Sequence, residues 1–523
     1  MNKHSRWAIF PVLAGLTSAL LTGCVSGAWS NDNSEMVIGM SDDVLATDPA
    51  SGYDPGSWLL FNNVFQSLLG FPDGGTEPVP DAASKCSFTD DRSTVYRCTL
   101  KDGLQFSNGD SLTAKDVKFS FDRTLKIDDA AGPAVMFQSL KKVETPDDKT
   151  VVFRLKTPDA TFPSKIASGA GSIVDSHEYN QNELRQDHAV IGSGPYKLAS
   201  FDKKEAVFSI NENYKGRAEV KNSGVVLKFF HGNRGALKTA VTGGKVDVAY
   251  RGLSAQDISA LDAKGSNDVD VVEGSSAEVQ HLVFNMDDPV AGKLSVRRAI
   301  AYLIDRGALM DKVFDGTAIP LYSIIPVGID SHSNAFIDRY GDEPSRAQAA
   351  AALQEDGITG KVKLTLWSTP SRYGPATDEE LKEIAAQLND SGLFDAQMKS
   401  VAFGQYEKDI AAAKFGVYVK GWLPDYPDPD NFTAPFFGPG NVLDNKYVNT
   451  AITRKLIPQT AAESDRQNTR RLFGQIQDIV AQQLPILPVW QGKQYAVVRT
   501  NVEGYQYCLD NSTVFRFWEL HKG

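Results

Sequence analysis

The stretch Gly421-Trp-Leu-Pro-Asp-Tyr-Pro-Asp-Pro-Asp-Asn-Phe-Thr-Ala-Pro-Phe436 gathers the densest set of chemically useful side chains in the sequence. Asp425, Asp428 and Asp430 put three carboxylates within six residues, a density that first raises calcium binding. An EF-hand loop needs alternating oxygen ligands, Gly at its sixth position and Glu at its twelfth. Counted from Asp425 those positions hold Asp430 and Phe436, and counted from Asp428 they hold Thr433 and Pro439, so the calcium reading fails. Pro424, Pro427 and Pro429 instead make a stiff loop. A carboxylate held beside Trp422 and Tyr426 suits a ligand ammonium group, through charge-assisted hydrogen bonds and cation–π contact. The same residues also fit a purely structural loop, with acids capping turns and aromatics packed underneath. The residues alone leave both readings open.

Signals for catalysis are weak elsewhere. The seven histidines show no metal-ligand spacing such as H-E-x-x-H. No G-x-S-x-G elbow and no phosphate-cradling loop occurs. Ser193 stands between Gly192 and Gly194, but Pro195 and the apolar run that follows mark a plain turn. The expectation is no enzyme, with no catalytic residue, no metal and no cofactor; a secreted hydrolase is the alternative from another class. A net charge of −11 argues against nucleic acid and against docking on anionic lipid.

The N-terminus carries Lys3, His4 and Arg6 and then an apolar run from Trp7 to Leu21. Its 15 residues fall short of the roughly 20 that span a bilayer. Leu21-Thr-Gly-Cys24 follows, and Leu-x-Gly-Cys resembles the lipobox of bacterial lipoproteins. That resemblance implies a signal peptide over 1–23, acylation of Cys24 (palmitate among the acyl groups) and a polar tether over 24–34. The body would sit outside the cytoplasmic membrane, lipid-anchored to its outer face. Cys86 and Cys98 flank a polar turn between two short strands, so a disulfide between them is feasible in that oxidising compartment. Cys508 is left over and reads as a buried thiol.

Between these points helical and strand patterns alternate, the signature of an α/β fold. Strands are expected at 36–40, 143–155 (a hairpin), 197–201, 206–211, 246–250, 279–286, 362–367, 486–490, 495–499 and 515–520. Helices are expected at 62–69, 111–123, 234–242, 295–309, 344–354, 378–389 and 463–484.

A wider likeness now emerges from ordered motifs. They are Thr47-Asp-Pro-Ala50, Pro78-Val-Pro-Asp-Ala-Ala83, Leu100-Lys-Asp-Gly-Leu-Gln-Phe106, Leu112-Thr-Ala-Lys-Asp-Val-Lys-Phe-Ser120 and Gly192-Ser-Gly-Pro-Tyr196. Asn211-Glu-Asn-Tyr-Lys-Gly216, Phe284-Asn285, Val296 to Arg306 and Gly421 to Phe432 follow in turn. In this order they resemble the family 5 extracellular solute-binding proteins of ATP-binding-cassette (ABC) importers. The resemblance implies a two-lobed α/β fold of periplasmic-binding-protein type (cluster C, type II-like), with an inserted domain and a hinge. Lobe one would take 35–56, 190–278 and 485–523, the inserted domain 57–189, and lobe two 279–484. In peptide-binding members the aspartate of Gly-Trp-x-x-Asp receives the ligand's α-ammonium, which falls on Asp425, with Gly421 and Trp422 flanking the ligand backbone. The implied partners are a peptide, an ABC permease and its ATPase, for a monomer that meets the membrane through its lipid alone. Nickel-chelates, sugars, opines and other small molecules are alternative ligands within the same class.

Overall fold

The computed structural model describes residues 34–265, 268–370, 372–374 and 376–523. Cys24, the signal segment and nearly all of the tether lie outside the described residues. No helix among the described residues is long and apolar enough to cross a membrane.

Among the described residues, eleven strands form one mixed sheet. Its path runs 394–400, 362–368, 417–422, 269–284, 486–499, 248–250, 36–40, 224–229, 205–210 and 196–201, with Ala318–Pro320 added against 486–499. Two members are unusually long: Val269–Phe284 has 16 residues and Ile486–Arg499 has 14. They pair antiparallel, with register shifts between Ser275 and Val279 and between Gln280 and His281. Their ends serve different cores. Leu282, Phe284, Leu487 and Val489 pack with Ile300, Leu366, Ile384 and Val480 in one lobe. Ala496 and Val498 pack with Ile38, Phe61, Phe121, Phe153 and Leu227 in the other.

A four-stranded antiparallel sheet (83–88, 95–100, 150–155, 140–144) shares the second of these cores. The disulfide Cys86–Cys98 joins directly opposed residues of its first two strands. Helix Ala114–Ile127 covers this sheet. It opens with a capping box in which Asp116 Oδ2 accepts from Thr113 N at 2.8 Å. Its buried Val117 and Phe121 recur at helical spacing, and Phe121 meets Phe153 edge-on at 5.0 Å.

Five segments differ from the sequence expectation. The helix expected at 295–309 breaks after Leu303 and restarts at Arg306, where Asp305 Oδ1 accepts from Ala308 N at 2.8 Å. The helix expected at 62–69 lies at Pro55–Val64, started by Asp54, whose Oδ1 accepts from Ser57 N at 2.9 Å. It ends at Val64, whose carbonyl accepts from Gly194 N at 2.9 Å while Phe65 turns extended. The two strands expected at 486–490 and 495–499 are one strand, because 269–284 pairs along its whole length. The helix expected at 463–484 begins at Arg470, after a short 3-10 turn over Arg466–Thr469. The strand expected at 515–520 is a buried irregular run with a 3-10 turn at Phe517–Glu519. Side-chain amides there replace a strand ladder. Asn222 Nδ2 donates to the carbonyls of Phe517 and Leu520, both at 2.8 Å, and Asn63 Nδ2 to that of Phe515 at 3.0 Å. Cys508 is buried as expected, and burial pushes its thiol up to about 12.

Arg123, on helix Ala114–Ile127, ties that helix to the N-terminal segment. Its guanidinium meets Asp48 in a two-point contact at 2.7 and 2.6 Å, with side-chain exposures of 2% and 3%. Asp48 also accepts from the backbone N–H of Ala50 and Arg185. Asp48→Ala would leave a buried guanidinium without its counter-charge. It is expected to lower unfolding stability by about 3–5 kcal/mol, read by urea unfolding of the full chain. A loss below about 1 kcal/mol, the range of exposed pairs, would show that the contact is not structural.

Candidate functional site

Strand Val417–Trp422 lies between 362–368, to which it is parallel, and 269–284, to which it is antiparallel. Its last residues, Gly421 and Trp422, emerge half-buried where the strand ends. Gly421 is required by its neighbour: a Cβ there would stand 2.9 Å from a ring carbon of Tyr373. The Trp422 indole meets Phe436 edge-on at 5.3 Å, and Phe436 in turn meets buried His281 at 5.6 Å. Burial holds His281 down at about 3, so it is a neutral ring at physiological pH.

The proline-rich turn is organised by Asn431. Its Oδ1 accepts from Trp422 Nε1 at 2.9 Å and from Asp425 N at 3.1 Å, while its Nδ2 donates to Asp425 Oδ2 at 3.4 Å. One buried amide thus fixes the indole and the carboxylate relative to each other. The sequence reading passed over Asn431. Its position six residues after Asp425, in a turn with three prolines, was the available signal.

The three carboxylates have separate fates. Asp428 forms a two-point pair with Arg466 at 2.9 and 2.6 Å and caps the 3-10 turn Pro429–Phe432. Asp430 is buried, and burial, reinforced by the charge of Asp428, raises its carboxyl to about 6. Asp425 is half-buried and accepts from the Tyr53 hydroxyl at 2.7 Å. Burial pushes the Asp425 carboxyl above its ordinary value, against the hydrogen bonds of Tyr53 and Asn431 and the more distant charge of Lys165. Among the described residues, no lysine or arginine pairs directly with it.

Tyr426 points the other way. It is 6% exposed and packs in the core that holds Phe61 and Phe153, with Lys165 Nζ 5.8 Å from its ring centre. Lys165 is itself paired with Asp159 at 2.7 Å. Gly421, Trp422 and Asp425 therefore share one neighbourhood, while Tyr426 anchors the loop in the opposite lobe. The Tyr53–Asp425 bond joins the lobes as well, as do Ala160 N to the Ala461 carbonyl at 2.8 Å and Ser93 Oγ to the Ala462 carbonyl at 2.9 Å. Arg372, exposed and lying over the Phe403 ring at 4.9 Å, places a cation beside Tyr373.

Two other features lie apart from this neighbourhood. Asp110, Asp175 and His177 cluster together, but Asn108 Nδ2 already bridges both carboxylates at 3.0 Å. A small hollow open to solvent lies among Phe61, Phe65, Phe71, Asp81, Tyr214 and Trp518 and includes none of the expected site residues.

Comparison with known proteins agrees with this architecture. Residues 77–444 match the profile of bacterial extracellular solute-binding proteins, family 5 Middle. The probable D,D-dipeptide-binding periplasmic protein DdpA of Escherichia coli is 27% identical over 488 residues, spanning 90% of this chain and 91% of that protein. The solved structure of the periplasmic binding protein DppA from Helicobacter pylori, in complex with the peptide STSA, aligns with TM-score 0.74 at 22% identity, over 93% of this chain and 98% of the other. That of HbpA2 from Haemophilus parasuis aligns with TM-score 0.81 at 22% identity, over 94% and 100%. Fold and profile together place the protein: the chain belongs to family 5 of the bacterial extracellular solute-binding proteins.

Proposed function

We propose that this protein captures short peptides between its lobes, with Asp425 receiving the α-ammonium, and delivers them to an ABC permease. The observation that carries the reading is the carboxylate of Asp425, held by Asn431 between the lobes with no lysine or arginine among the described residues paired to it. A half-buried acid in that state favours a ligand that brings its own positive charge. Gly421 and Trp422 border the peptide backbone, and Tyr426 serves as an anchor of the loop. The names of relatives point the same way, since DdpA is described as dipeptide-binding and the Helicobacter protein was solved with a peptide. Tyr53 couples binding to closure, because its bond to Asp425 exists only while the lobes meet.

Calorimetric titration with trialanine tests the site. Asp425→Asn is expected to weaken binding by about 1.5–3 kcal/mol, roughly 10- to 150-fold, the worth of a charged hydrogen bond. N-acetyl-trialanine should lose a similar amount on the native protein. Undiminished affinity in either case would assign the ligand ammonium to another residue.

We also propose that Cys24 is acylated and holds the receptor at the outer face of the membrane, within reach of its permease. In cells fed a labelled fatty acid, the native chain should carry label and partition with membranes. Cys24→Ala should do neither, and label retained by that variant would refute the anchor.

A further inference from the structure

Helix Pro55–Val64 leaves one large aromatic partly outside the core it serves. Leu59, Leu60, Phe61 and Val64 are buried, whereas Trp58 and Asn62, four residues apart on one face, stay half-buried. A ring left partly uncovered is ordinary by itself. The setting of this one is specific.

Three contacts fix the indole in place. Its Nε1 donates to the Gly52 carbonyl at 3.1 Å. Its five-membered ring lies on Gly169, where a Cβ would stand 2.7–3.0 Å from Cγ, Cδ1 and Cδ2. Gly169 belongs to the turn Ser168-Gly-Ala-Gly-Ser172, whose small residues make room for the ring. Tyr53 packs against the indole with ring centres 5.6 Å apart.

The same Tyr53 gives its hydroxyl to Asp425 Oδ1 at 2.7 Å. A single ring therefore separates the carboxylate proposed for the ammonium from the indole. The side chain on the residue that carries the ammonium is the part of a peptide nearest to the Tyr53–Trp58 pair. The chemistry of the pair sets what it accepts. The indole N–H is spent on Gly52 and the Tyr53 hydroxyl on Asp425, so both rings offer carbon surface and no free donor. Such a surface gains from an aromatic or branched aliphatic side chain, and much less from a methyl group.

We propose that Trp58, backed by Tyr53, walls a subsite for the peptide's first side chain and selects a bulky apolar residue there. This rests on the peptide reading above. It adds a substrate preference that Asp425, which would contact only the peptide's amino terminus, does not supply.

Titration calorimetry of the full chain tests it with trialanine, Phe-Ala-Ala and Ala-Ala-Phe. Phe-Ala-Ala should bind about tenfold tighter than trialanine. Trp58→Ala should bring that ratio close to one and leave the ratio of Ala-Ala-Phe to trialanine where it was. A merely structural Trp58 would shift all three affinities together, so a first-residue ratio that survives the substitution overturns the proposal. A loss confined to Ala-Ala-Phe would seat the third side chain there instead and also overturn it. Equal affinities of Phe-Ala-Ala and trialanine on the native protein overturn it whether or not the variant folds. Failure of every peptide to bind would overturn the peptide reading instead. The subsite is then read with phenethylammonium, an amino-terminal phenylalanine reduced to its ammonium and ring. It should raise the unfolding temperature of the native chain more than ethylammonium does, and that of Trp58→Ala no more than ethylammonium does. Equal rises on the native chain count against the subsite.

Discussion

The antiparallel pairing of Val269–Phe284 with Ile486–Arg499 is the constraint from which the rest of the architecture follows. Both strands are too long to serve a single core, so each is buried at one end in one lobe and at the other end in the second. Their backbone groups are satisfied by each other on both sides of the irregular stretch Ser275–Val279, where the side-chain amides of Gln494 and Gln491 donate to the carbonyls of Ser275 and Ser276, so the chain runs between cores without stranding these polar atoms. Because 417–422 pairs with the first of these strands, its end is delivered to the gap between lobes. The loop that follows inherits that position, and Asp425 with it.

Electrostatics then sorts the loop. Of three neighbouring carboxylates, one is neutralised by Arg466, one is sunk in the interior, and one faces Tyr53 across the gap. The prolines limit how the chain can bend, and Asn431 spends its amide on Trp422 and Asp425 together. The lobe that supplies Tyr53 is stiffened in the same manner, by the buried pair of Arg123 and Asp48. Bodies joined by paired strands are suited to hinge motion.

Much of this was legible in the sequence because it is local. The family resemblance of Gly-Trp-x-x-Asp singled out Gly421, Trp422 and Asp425 as candidates, and the polar turn between Cys86 and Cys98 announced opposed cysteines. Helix Arg234–Thr242 was legible from its apolar spacing and the two glycines that end it. What the sequence hid depends on partners far along the chain. Tyr53 lies 372 residues from Asp425 and carries no local mark of its role. Tyr426 looked like a ligand contact because it adjoins the acid, but the turn directs its ring into the opposite core. The apolar run Phe515–Leu520 looked like a strand, yet Asn63 and Asn222 satisfy its backbone from distant segments. Gln491-Gly-Lys493 looked like a break between two strands until a pairing partner bridged it.

The account turns on Asp425 being the point where charge on the ligand meets charge on the protein. A crystal structure of the full chain grown with trialanine tests this most directly. The account predicts the peptide between the lobes, its ammonium nitrogen about 2.8 Å from a carboxylate oxygen of Asp425, and the Tyr53–Asp425 bond retained. A peptide bound with its amino terminus elsewhere, or Asp425 still closed by Tyr53 and Asn431 alone, would contradict it.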